Sequence, residues 1–226
     1  MDLNTSFQIP GRTEKSRFEK IDTKVFGSAE VASKAVATEI AELIKNNKKT
    51  VLGLATGSSP IGVYRELVNM HKSNGLSFKN VITFNLDEYY GVKNTDSQSY
   101  QSFMNQHLFD HIDIPSENIF IPNGEVERIF LKDYCVGYEK HIQDLGGIDI
   151  QILGIGRNGH IGFNEPGSIE SSITRKVKIE ETTRFDAADE FTGINNVPKD
   201  AISMGIKTIL EAKSCLLYTS PSPRDA

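Results

Sequence analysis

Only two cysteines, Cys135 and Cys215, occur in the 226-residue sequence. They show neither metal-type spacing nor a disulfide framework, which fits a reducing cytoplasm. No apolar run approaches the roughly 18 residues that a membrane helix requires. The N-terminal MDLNTSFQIPGRTEK lacks the apolar core of a signal peptide. Basic residues are not in excess either: the net charge of −5 argues against nucleic acid as the main partner. Internal repeats are missing. The expectation is a cytoplasmic protein with no membrane and no nucleic-acid partner, in which any anionic ligand must be held by local positive potential.

What the chain does have is material for one sizeable core. Hydrophobic residues make up 38% and charged residues 24%, the balance of a globular domain. Ser28 is placed to cap a helix over residues 29–46, with Val31, Ala35 and Leu43 on one face. Residues 51–55 read as a buried strand, followed by a helix that opens at Pro60 and runs to about Met70. Further strands are expected at 81–84, 118–121, 148–153, 176–179, 201–204 and 215–218. Further helices are expected near 100–110, 127–145 and 205–212. This alternation predicts an α/β fold: an open, mostly parallel sheet with helices on both faces, a Rossmann-like three-layer sandwich.

Three polar loops follow three of the strands. Residues 154–167, GIGRNGHIGFNEPG, gather five glycines, two asparagines, His160 and Glu165. An apolar strand entering such a loop is where open α/β sheets place their chemistry, and His160 with Glu165 forms a candidate proton-transfer pair. Gly154, Gly156 and Gly159 also match a dinucleotide fingerprint, with Glu180 about 20 residues further on. The glycines and proline after Gly159 prevent a long helix from starting there, and the strand comes late in the chain, so no nicotinamide cofactor is expected. One histidine and one glutamate are too few ligands for zinc, and no metal is expected. Thr56, Gly57, Ser58 and Ser59 meet a helix start, where orphan N–H groups and the helix dipole favour a phosphate. Residues 85–91, NLDEYYG, put Asp87 and Glu88 at a strand end, where partial desolvation raises a carboxyl pKa and suits a general base. Each loop has a plain alternative: a hydroxyl-capped turn, a solvated acidic turn, a structural histidine.

Taken together and in this order, LGLATGSSPIGVYREL (52–67), VITFNLDEYYG (81–91), SYQSFMNQHLFDHIDIP (99–115) and LGIGRNGHIGFNEPG (153–167), with VPKDAISMG (197–205) more weakly, resemble the glucosamine-6-phosphate deaminases of the sugar-phosphate isomerase/deaminase superfamily. The resemblance runs from about residue 25 to 213. It implies conversion of D-glucosamine 6-phosphate and water to D-fructose 6-phosphate and ammonia in amino-sugar catabolism, with no cofactor, by a homo-oligomer in the full-length form. It implies Asp87 as the base that moves the C2 proton to C1, and His160 as the ring-opening group with Glu165 and Asn158 orienting it. Thr56, Gly57, Ser58, Ser59, Gly156 and Gly159 would bind the substrate. A 6-phosphogluconolactonase-like hydrolase and a non-catalytic sugar-phosphate-binding module are the alternatives.

The chain departs from the family pattern in three places. Asn158 stands where many members carry Asp; an amide orients an imidazole but does not stabilise imidazolium by charge. Asp189 stands where some members place a phosphate-binding arginine. After residues 215–218, SPSPRDA replaces a Gly-x-x-Lys turn whose lysine helps bind phosphate. The last departure sets the expectation of a C-terminally incomplete sheet: residues 1–24 an extension, 25–214 a partial domain, 215–226 a non-native tail. Arg175 falls where regulated members bind an activator, but too little else matches to imply regulation.

Overall fold

A computed structural model describes residues 23–219. Helix α1 (Ala29–Asn46) begins where the Ser28 hydroxyl accepts the Val31 N–H at 3.3 Å, as the capping pattern predicts. The chain then runs through β1 (Thr50–Leu54), α2 (Ile61–Asn74), β2 (Val81–Asn85), β3 (Asp87–Tyr89), α3 (Tyr100–His107), β4 (Ile119–Phe120) and α4 (Leu131–Asp144). It continues through β5 (Ile150–Leu153), β6 (Arg175–Lys178), α5 (Glu181–Asp186), β7 (Asp200–Ser203), α6 (Ile206–Leu210) and β8 (Cys215–Leu217). Helix α4 starts four residues later than the sequence pattern suggests, because Glu127 closes a turn with the Phe130 N–H.

Five strands form a parallel sheet in the order β4-β2-β1-β5-β8. Their side chains alternate between two helical layers. Leu52, Leu54, Ile150 and Ile152 pack with Ile40, Val63, Tyr64, Leu67 and Met104 on one face. Val51, Ile82, Phe84 and Leu153 pack with Tyr138, Ile142 and Ile209 on the other. Each such side chain, fully buried, contributes about 1.5–3 kcal/mol of transfer free energy, which makes these layers the main source of stability. Gly53 of β1 is the one gap in the β1 pattern. The side chain of its cross-strand neighbour Gln151 fills the place a Cβ would take, with its amide donating to the Ile152 carbonyl at 2.9 Å.

The α/β class and the parallel sheet agree with expectation, but two expected strands lie elsewhere. β6 and β7 join β3 in a separate antiparallel sheet of order β3-β7-β6. The acidic stretch read as a loop is therefore partly a strand. Leu86 is the joint: its N–H donates to Leu54 O at the end of β1 (3.0 Å), and its carbonyl accepts from Met204 N after β7 (2.7 Å).

Strand β8 continues the main sheet beside β5, starting at the residue where the sequence reading sets its tail. Residues 220–226, and residues 1–22 of the expected extension, lie outside the described residues. Just after β8, Tyr218 is buried, and its hydroxyl meets Ser33 Oγ at 2.8 Å and donates to Ala29 O at 3.1 Å. These bonds tie the sheet edge to the first turns of α1. Tyr218→Phe is expected to lower unfolding free energy by about 1 kcal/mol in urea titration. Ser33→Ala added to it should cost less than Ser33→Ala alone, because the two hydroxyls share one bond.

Candidate active site

The chain moves outward from β1 to β2 and β4, then returns to the other side of β1 with β5 and β8. The order thus reverses between β1 and β5, and the loops leaving the carboxyl ends of these neighbours open a crevice, the usual ligand position in such sheets. A cavity of roughly 600 Å³ lies there. Its walls include Thr56, Gly57, Ser58 and Ser59 after β1, Asp87 of β3, and Gly156, Arg157 and His160 after β5.

Asp87 is buried, with 5% of its surface exposed. Among the described residues its carboxyl makes no hydrogen bond. Burial, with the charge of the adjacent Glu88 as the smaller cause, pushes its pKa up to about 8. The loop carrying His160 presses close to it: a Cβ at Gly162 would sit 3.0 Å from Asp87 Oδ2, and Gly162 has a φ of +58°, where glycine is favoured.

His160 is held by a chain of side chains. Glu165 Oε2 accepts Asn158 Nδ2–H at 2.8 Å, and Asn158 Oδ1 lies 2.7 Å from His160 Nδ1. A carboxylate only accepts, so the amide must turn its NH₂ toward Glu165 and its oxygen toward the ring. The proton of a neutral His160 is then on Nδ1, and Nε2 carries the free lone pair. Glu165 is anchored in turn by the Glu180 N–H at 3.1 Å. Glycine at position 156 leaves room for the imidazole where it stands; any Cβ there would overlap the ring and force it to move.

The Thr56–Gly57–Ser58–Ser59 turn leads into α2. The N–H groups of Gly57, Ser58 and Ser59 donate to nothing among the described residues, the arrangement that accepts an anion. Gly159 takes a different part from the expected one. It does not line the cavity; it turns the loop at φ +87° and donates to Gly156 O at 2.9 Å. Asn158 and Glu165 stand behind His160 rather than in the wall.

Sequence reading missed several wall residues. Tyr100, Phe103 and Gln106 of α3 line the cavity, and their three-residue spacing marks one helix face. Arg157, half-exposed, pairs with Asp186 of α5 at 3.1 Å. Thr183 lies 3.4 Å from His160 Nδ1, and burial raises the pKa of Glu190, also in the wall. Nothing in the sequence of residues 183–190 signals this placement, which depends on how the second sheet folds back. Arg175 is outside the wall, where it donates to Asn164 Oδ1 at 2.9 Å. No described helix is long and apolar enough to cross a membrane.

Residues 27–223 match the family of glucosamine-6-phosphate isomerases/6-phosphogluconolactonase. The chain is 47% identical to a glucosamine-6-phosphate deaminase of Clostridium perfringens, over 84% of this chain and 78% of that protein. It is 51% identical to one from Shouchella clausii, over 84% and 76% of the two chains. The solved structure of a monomeric glucosamine-6-phosphate deaminase superposes with a TM-score of 0.81 at 47% identity, covering 84% of this chain and 78% of that one. A 6-phosphogluconolactonase from Trypanosoma brucei superposes at 0.65 with 19% identity, over 86% and 80%, a likeness of fold alone. By sequence and by fold, the chain belongs to the glucosamine-6-phosphate isomerase/6-phosphogluconolactonase family.

Proposed function

We propose that this cavity converts D-glucosamine 6-phosphate and water to D-fructose 6-phosphate and ammonia. The observation that carries the reading is the pairing, in one cavity, of a buried carboxyl without hydrogen-bond donors among the described residues and a histidine whose free nitrogen is fixed by a Glu–Asn relay. His160 Nε2 takes the anomeric hydroxyl proton and returns it to the ring oxygen, giving the open-chain aldehyde. Asp87 removes the C2 proton, now acidified by that aldehyde, and delivers a proton to C1. Water then adds at the resulting C2 imine and ammonia leaves. The open N–H groups of Gly57, Ser58 and Ser59 hold phosphate oxygens, beside Arg157 on the adjacent loop, whose guanidinium is paired with Asp186. The homo-oligomer expected for the full-length form stands beside a similar glucosamine-6-phosphate deaminase that is described as monomeric.

Ammonia release from glucosamine 6-phosphate, with lactone hydrolysis as the contrast, tests the reading. Asp87→Asn should lower kcat by about 10²–10⁴-fold, the span typical of a lost general base. Unchanged turnover in that variant would exclude the mechanism. The base works ionised, and its raised pKa means the ionised fraction grows with pH. The acid limb of kcat/KM should therefore fall near pH 8, far above the ordinary aspartate range. Gly156→Ala should displace the imidazole and cost about 10²-fold in kcat, with little change in melting temperature. The same Asp87→Asn protein should melt higher than wild type at alkaline pH. Unfolded Asp87 loses its proton near the ordinary value, native Asp87 only near 8, so its burial weakens the fold as pH rises between the two.

A further inference from the structure

Glu88 is fully buried beside Asp87, yet it does not line the cavity. Successive strand residues point to opposite faces, so Asp87 turns toward the cavity and Glu88 toward the start of α3. Glu88 Oε1 accepts the N–H groups of Tyr89 (2.9 Å) and Tyr100 (3.0 Å), and Oε2 accepts that of Gln101 (3.1 Å). Two of these donors are the first residues of α3, where hydrogen bonds and the helix dipole both favour a carboxylate. That helix supplies Tyr100, Phe103 and Gln106 to the cavity wall.

We propose that Glu88 is a positioning residue for the proton transfer: its buried carboxylate fixes the α3 wall of the cavity and sets a negative charge one residue from Asp87. This rests on Asp87 being the base. Glu88 has three donors and Asp87 has none among the described residues, so a single charge on the pair resides on Glu88. A second charge on Asp87 is then disfavoured, and ionised Asp87 is a stronger base than a lone carboxylate. The direction agrees with the burial-raised pKa values, about 7 for Glu88 and about 8 for Asp87. The other groups facing the pair are Tyr89 on β3, Tyr100 on α3 and Tyr138 on α4, all kept neutral by burial. Glu190 beyond α5 faces Tyr89, and His160 with its partner Glu165 completes the set across the cavity. Among the described residues neither carboxyl has a salt bridge.

The test is the pH profile of kcat/KM for wild type, Glu88→Gln and Glu88→Asp, read by ammonia release beside melting temperatures. Glutamine keeps the size and one acceptor but removes the charge. Its acid limb should move about one unit toward lower pH, with a several-fold lower plateau at high pH. Aspartate keeps the charge but withdraws it from α3, so KM should rise while the limb stays near the wild-type position. A Glu88→Gln limb that does not move overturns the proposal. Carboxyl ¹³C NMR of the wild type and Asp87→Asn gives a second reading that needs no Glu88 variant. Wild type should show two buried titrations, and Asp87→Asn should lose the upper one and keep the lower. Loss of the lower one instead places the first charge on Asp87 and overturns the proposal. Turnover that survives Asp87→Asn refutes the base assignment itself, a failure separate from either of these.

Discussion

The site depends on two backbone hydrogen bonds at Leu86. Its N–H belongs to the end of the parallel sheet and its carbonyl to the antiparallel one, so a single residue joins both. Val81–Asn85 just before Leu86 pair with β1, and Asp87–Tyr89 just after it pair with β7. Because the switch takes one residue, Asp87 arrives at the crevice on a strand rather than on a loose loop. A base carried on a paired strand is held in orientation by the ladder, which matters when a small misplacement costs orders of magnitude in rate.

The alternation of that short strand divides two adjacent carboxyls between different tasks. Burying an unpaired charge costs several kcal/mol, and two in sequence would cost more. The fold meets this asymmetrically. Glu88 receives three backbone donors and a helix terminus, while Asp87 receives the cavity. The residue with the poorest internal solvation is thus the one left to react, a common arrangement where a carboxyl must act near neutral pH. On the far wall the logic is reversed: His160 is heavily supported by Asn158 and Glu165, so its geometry is fixed and its free nitrogen defined.

Much of the main sheet was legible because its strands are short apolar runs ending in glycine-rich or acidic loops, and α1 opens on a clear cap at Ser28. The three loops that meet at the crevice were legible for the same reason, and so were Asp87, His160 and the Thr56–Ser59 turn lining the cavity. The second sheet was not. Asp87, Glu88 and Tyr89 form a three-residue strand too short to show a period, and its partner β7 is more than 110 residues away in sequence. Gly156 and Gly159 look alike in a motif; only the nearby imidazole separates the one that makes room from the one that makes the turn. The wall residues of α3 had a readable spacing, whereas Asp186 and Glu190 depended on a chain return that no local pattern announces.

Asn158 is followed by Gly159, the dipeptide in which a side-chain amide is most readily lost to attack by the next backbone nitrogen, a thermolabile combination. Here that nitrogen is already bonded to Gly156 O, and the amide is drawn the other way by Glu165 and His160. The bonds that aim the imidazole therefore also protect the amide from chemical ageing.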